Sequence, residues 1–224
     1  MIFKHELLPE INLEAEMING KRHYLTPSGK KYPSVTTVLS PMSAAGIAEW
    51  RARVGEDEAN RISSKASSRG TKVHLIAENY VMNRDYKSNV MPSHIEMFHP
   101  VQKFLDKNLE VVYGSEIALY SDRLKMAGRC DLVCGMFGIP TIVDFKTARQ
   151  LKEERHILNY FFQTTIYGMM VKERHGMDIG AICILIATEH DGLQVFHKSI
   201  SHYKPQLFSY LIDSGHLKKK VDVN

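Results

Sequence analysis

The chain has 224 residues and a mass of 25.6 kDa, with 44% hydrophobic and 24% charged side chains, a globular balance that excludes disorder as its main state. Its 29 basic and 25 acidic side chains leave a net charge of +4 and a pI near 8.8, which permits a polyanionic partner without requiring one. The longest apolar run, residues 181–187, is far shorter than the roughly 20 residues of a membrane helix, and three cysteines without a CxxC pair exclude a disulfide framework and fit a reducing cytoplasm.

The first twenty residues carry Glu6, Glu10, Glu14 and Glu16 against one Lys4, so no export or organelle address is read there. Met17-Ile18 and Arg22–Leu25 flank Asn19-Gly20, a dipeptide that tolerates positive φ, and predict a β-hairpin. Ser34–Leu39 fits either a short helix capped by Ser34 or a strand. Apolar residues from Ala59 to Asn83 recur at steps of three and four, predicting a long amphipathic helix interrupted near Gly70. Ser93–Lys107, just after Pro92, predicts a second helix.

The period then changes. Glu110–Tyr120, Met126–Cys134 and Thr141–Thr147 predict an antiparallel meander. Leu151–Lys172 returns to a helical pattern with a stop at Gly176, Ile179–Thr188 and Leu193–Ile200 predict strands, and Pro205–Ile212 closes the chain as a helix. The expected class is α/β, of mixed α+β character, around a mixed central sheet. Residues 1–58 are expected to pack as a hairpin and helical extension on a core spanning 59–224, a single domain overall.

The sharpest chemical feature is Asp131 in Gly128-Arg129-Cys130-Asp131-Leu132-Val133, followed by Asp144 and Lys146 in Val143-Asp144-Phe145-Lys146-Thr147-Ala148, all inside apolar strands. Residues i and i+2 of a strand share one face, so Asp144 and Lys146 point together, with Val143 and Phe145 opposite. If the two strands pair, two carboxylates and one ammonium crowd one patch. Two carboxylates about 4 Å apart repel by about 4 kcal/mol at an effective dielectric near 20, so a hard divalent cation, Mg2+ or Mn2+, is the expected remedy. The plainer alternative is a buried ion pair closing a hairpin.

With these motifs the sequence resembles the PD-(D/E)XK nuclease superfamily in its RecB-like branch, especially phage exonucleases and the mitochondrial genome maintenance exonuclease. Tyr32–Leu39, Arg69-Gly70-Thr71-Lys72-Val73-His74 and Gln163-x3-Tyr167 complete the matching set, in the family's order over roughly residues 20–190. Cys130 stands where the superfamily's name has proline. The resemblance implies a restriction-endonuclease-like core and a metal-dependent deoxyribonuclease. Asp131, Asp144, His74 and the backbone carbonyl of Phe145 would hold Mg2+ or Mn2+, and Lys146 would act on the attacking water and the phosphate. Gln163 and Tyr167, four apart on a helix, would face the metal or the DNA; Glu116 and Glu78 are further acids beside the site, for which a solvated face competes evenly. The implied activity is exonucleolytic, on single-stranded or free-ended DNA in phage replication or recombination, in the host cytoplasm if phage-encoded. A structure-specific endonuclease of the same fold and a non-catalytic nucleic-acid-binding module are the alternatives.

For the partner surface, Arg61, Lys65, Arg69 and Lys72 form a basic helical stripe, which at about 100° per residue lies some 160° from His74 on an unbroken helix. Arg149, Lys152 and Arg155 follow the Asp-x-Lys strand and suit a phosphate backbone. Trp50, with Arg51 and Arg53, suits base stacking or packing, and Lys218–Lys220 reads as a solvated tail.

Overall fold

The computed structural model describes residues 2–218, so Lys219 and Lys220 of the basic tail lie outside the described residues. In chain order the elements are β1 (Lys4–His5), β2 (Glu14–Ile18), β3 (Lys21–Leu25), β4 (Lys31–Pro33), α1 (Val35–Leu39), α2 (Pro41–Val54), α3 (Glu56–Val81) and α4 (Pro92–Asn108). Then come β5 (Leu109–Ser121), β6 (Met126–Met136), β7 (Ile139–Ala148), a 3-10 turn (Glu154–His156), α5 (Leu158–His175), β8 (Ala181–Thr188), β9 (Leu193–Ser199) and α6 (Ile200–Asp213).

A six-stranded mixed sheet, in the order β1-β5-β6-β7-β8-β9, forms the centre; β1/β5 and β7/β8 are parallel and the other pairs antiparallel. The predicted meander is therefore present, and the β7–α5–β8 crossover supplies the parallel pair. All eight residues of β8 are buried, as a strand covered on both faces requires. Their alternation divides the core. Cys183, Leu185 and Ala187 face α3 and α4 with Val73, Ile76 and Phe98, while Ile182, Ile184 and Ile186 face α5 and α6 with Phe161, Ile166 and Leu207. The result is three layers, helices on both faces of a sheet.

The N-terminal hairpin forms as expected, with Asn19 (φ 49) and Gly20 (φ 72) in its two-residue turn, and β4 adds a third strand. Ser34 settles the open choice after it. Its Oγ accepts from Thr37 N at 3.0 Å and caps α1 as a helix. Tyr24 and Tyr32 then pack on Ala118 and Ala127, fixing the small sheet against β5 and β6.

Several expectations are corrected. The helix containing Gly70 runs unbroken from Glu56 to Val81, and an added Cβ at Gly70 would meet only Thr147 Oγ1, at an ordinary 3.7 Å. The helix expected from Leu151 starts at Leu158, because the Gln194 side chain accepts from Lys152 N at 2.7 Å and donates to Lys152 O at 3.1 Å, holding that backbone against β9. Its C-terminal stop at Gly176 (φ 73) is as expected. The last helix starts at Ile200, with Pro205 inside it. Three elements had no individual sequence prediction: β1, only two residues long, β4, and α2, which falls in the helical extension expected within residues 1–58. No helix among the described residues is long and apolar enough to cross a membrane.

Candidate active site

The site lies where β6 and β7 part. Their ladder runs from Met136↔Ile139 to Leu132↔Val143 and stops there, one residue short of Asp131 and Asp144. Beyond that point β7 pairs only with β8, and the Phe145 N–H donates instead to Asp131 Oδ2 at 2.8 Å. On its other side Asp131 lies opposite Glu116, between the rungs Ser115↔Leu132 and Ile117↔Cys130. Glu116 has φ 50, a left-handed backbone that a non-glycine residue adopts at some cost, and the Arg129 guanidinium donates to its carbonyl at 3.1 Å.

From α3, His74 reaches the same point, with Nδ1 3.4 Å from Asp131 Oδ2. One ligand atom each from His74, Glu116 and Asp131 lies within 4.8 Å of the others. Two carboxylates and an imidazole in this arrangement fit a divalent cation, because like charges at such spacing repel until a cation neutralises them. Burial, with the Asp131 and Glu78 carboxylates adding to it, pushes Glu116 up to about 7. Burial lowers His74, against a smaller upward pull from Asp131, and so favours the neutral imidazole that ligates metals.

Asp144 is only 2% exposed and takes a different set of partners. Its Oδ2 lies 2.5 Å from Lys146 Nζ, and its Oδ1 accepts from Gln163 Nε2 at 2.9 Å. The shared face of Asp144 and Lys146 follows the strand geometry predicted for them. Burial raises Asp144, and Asp131 adds to this while Lys146 opposes it. For Lys146, burial acts downward, but Asp144 and Asp131 outweigh it, so the amine is an ammonium near neutral pH. The ring of Tyr160 packs 5.0 Å from its Nζ.

His74, Glu116, Asp131, Lys146, Tyr160 and Gln163 line an open cavity of about 450 Å³, whose far wall is Arg22 and Tyr24 of β3 with Ser34 and Thr36. Tyr167, 4% exposed, closes the floor over Gly128, where a Cβ would stand 2.6 Å from the Tyr167 hydroxyl. The Gly128 and Gln163-x3-Tyr167 motifs are thus one packed unit.

Of the residues singled out in the sequence, His74, Glu116, Asp131, Asp144, Phe145, Lys146, Gln163 and Tyr167 converge here. Glu78 lies just outside and pairs with Arg84 at 3.4 Å. Arg69 is tied to Glu189 and to Thr147 Oγ1, while Lys72 and Arg149 are exposed. Trp50, Arg53 and Lys152 line a neighbouring groove. Sequence reasoning gave no role to Arg129, Tyr160, Asn159 or the Arg22 wall. Arg129 stands in the Asp131 motif and Arg22 in the hairpin, while Asn159 and Tyr160 lie on α5 one turn before Gln163.

The sheet thus forks at two aspartates and a lysine, with a helical histidine and a glutamate beside them. Residues 57–213, well over half of the chain, match the PD-(D/E)XK nuclease superfamily, and the chain belongs to it. Among solved structures, that of a provisionally named exonuclease of Eubacterium rectale is similar at 12% identity over 68% of this chain and 69% of its own, with a TM-score of 0.44. SSO0001 is similar at 13% over 84% and 76%, with a TM-score of 0.41. No curated protein matches the chain.

Proposed function

We propose that the chain is a metal-dependent deoxyribonuclease of the exonuclease type, hydrolysing phosphodiester bonds from free, single-stranded DNA ends. The observation that carries this reading is the convergence of His74, Glu116 and Asp131 at the sheet fork, beside the Asp144–Lys146 pair and inside an open cavity. His74, Glu116 and Asp131 would hold the ion, with Asp144 and the Phe145 carbonyl completing the cradle from β7. Mg2+ or Mn2+ suits a set dominated by carboxylates, in which no thiolate takes part. Such an ion, when bound, lowers the pKa of a water and polarises the scissile phosphate.

The chain's own residues supply the remainder. Lys146, already protonated, donates to the attacking water and to the phosphate oxygens on which charge develops, rather than taking a proton. Asp144 fixes that ammonium, and Gln163 fixes Asp144 by its hydrogen bond. Tyr160 holds the other side of the ammonium without neutralising it. The resemblance to phage exonucleases suggests phage DNA replication or recombination as the setting.

The test is digestion of end-labelled single strands, duplexes and covalently closed circles, with and without Mg2+ or Mn2+, by the wild type and by Lys146→Met. The expected result is metal-dependent loss of terminal label from single strands by the wild type alone. Cleavage of closed circles would replace the exonuclease reading with an endonuclease one, and equal activity of the two proteins would remove Lys146 from the chemistry.

A further inference from the structure

Helix α2 has 14 residues and buries none of them. A helix this short is marginal in water unless a face of it packs, so its apolar side needs a counterpart. That side carries Met42, Ile47 and Trp50, with Ile47 half exposed, and it lines an open groove of about 800 Å³. The opposite wall is the segment between β7 and α5 that the Gln194 side chain holds against β9. At one end the groove reaches Asn159 and Tyr160, which also line the cavity at the sheet fork, so groove and cavity form one continuous surface.

The charge of the groove is one-sided. Arg53, Lys152, Arg155 and His156 line it, and no carboxylate does. Of the other cations on α2 and α3, Arg51 pairs with Glu56, Arg61 with Glu58 and Arg69 with Glu189, while Lys65 and Lys72 lie on α3 outside the groove. Arg53 and Lys152 have no carboxylate partner among the described residues, and Arg155 pairs only with the exposed Glu153. Free cations beside an aromatic and aliphatic face match a ligand with phosphates along one edge and flat apolar rings along the other.

We propose that this groove binds an unpaired stretch of DNA, the continuation of the strand whose phosphate lies at Lys146. The strand passes Tyr160, stacks a base on Trp50 and sets its phosphates against Arg53 and Lys152. A duplex hides its base faces in the stack and cannot use the apolar side of α2, so the groove selects single strands. The inference rests on the nuclease reading and adds to it the path of the strand and a physical reason for its strandedness.

Trp50 is the only tryptophan of the chain, so its emission reports on this groove. The experiment titrates the full chain, in chelator and at low salt, with a short oligothymidylate, a blunt duplex and an oligoglutamate. Saturable quenching by the oligothymidylate is expected, with a salt slope reduced by about 0.7 in each of Arg53→Ala and Lys152→Ala. Trp50→Ala, followed by anisotropy of a labelled oligothymidylate, is expected to bind roughly 5- to 150-fold more weakly. Wild-type melting temperatures in these variants, at exposed Arg53 and Lys152 and at partly buried Trp50, exclude loss of folding as the cause. Absent quenching, equal quenching by blunt duplex, tighter binding of oligoglutamate, or unchanged salt slopes would each overturn the proposal. Metal-dependent cleavage, measured in parallel, separates the two readings: cleavage without quenching removes the groove and leaves the nuclease, and quenching without cleavage does the reverse.

Discussion

Asp131 takes the hydrogen bond that a neighbouring strand would otherwise take: its Oδ2 accepts from the Phe145 N–H at 2.8 Å, just past the last rung between β6 and β7. The same carboxylate faces His74 and Glu116, so one side chain both ends the ladder and presents the site. Asp131→Ala is expected to orphan that buried N–H at a cost of about 1–3 kcal/mol, lowering the melting temperature by roughly 2–4 °C per kcal/mol. Asp131→Asn keeps an acceptor and removes one of the crowded charges, so the metal-free protein should melt close to wild type while cleavage is lost. Equal destabilisation by the two variants, seen in thermal melts, would show that the hydrogen bond does not hold the fork.

Gly128 and Tyr167, 39 residues apart in the numbering, are a single contact. Gly128→Ala would set its Cβ 2.6 Å from the Tyr167 hydroxyl and 3.1 Å from a ring carbon, and the resulting overpacking should cost about 1–3 kcal/mol. Adding Tyr167→Phe removes the closest atom and should recover part of that loss. Denaturant titration of both single variants and the double variant measures the coupling, and additive losses would deny the contact.

What was legible in the sequence was what a short repeat could encode. Asp144 and Lys146 share a strand face, with Val143 and Phe145 on the other, and the structure has this arrangement. Glu116 was ambiguous because its φ of 50 breaks the strand period that would have aimed it. Helix α2 gave no pattern because it buries none of its residues: Ile47 and Trp50 face an open groove, and Met42 packs only partly buried on the core. The Arg22 and Tyr24 wall could not be read either: it reaches the cavity only because Tyr24 and Tyr32 pack on Ala118 and Ala127, a contact between segments far apart in the chain.

The crowded acids give a pH signature to the metal-free protein. Glu116, at about 7, lies above the ordinary glutamate value of about 4.3, so between these values the folded state holds more protons than the unfolded one. The contribution of Glu116 to stability is therefore full below about 4.3 and is lost as pH rises to about 7. Glu116→Gln removes this dependence, and its metal-free stability should fall less than that of the wild type across the window. Added Mn2+ should raise the melting temperature of the wild type more at pH 8 than at pH 6, because protons compete for the same oxygens. Parallel melting curves of wild type and Glu116→Gln across the window would contradict the assignment of this shift to Glu116.

The Asp144–Lys146 pair separates stability from chemistry. Lys146→Met leaves Asp144 buried beside Asp131 with no cation, and breaking a buried pair in this way typically costs about 3–5 kcal/mol. Part of that cost is avoided here, because burial already favours the protonated Asp144, which can still accept from Gln163. Adding Asp144→Asn should therefore restore much of the lost melting temperature. Cleavage should not return with it: single-turnover rates at saturating oligonucleotide should stay lower than wild type by about 100-fold or more, the scale of losing a preorganised donor to developing charge. A double variant that regained both stability and rate would show that Lys146 serves only to neutralise Asp144, and the work of stabilising the phosphate would pass to other cations lining the cavity, Arg22 and Arg129.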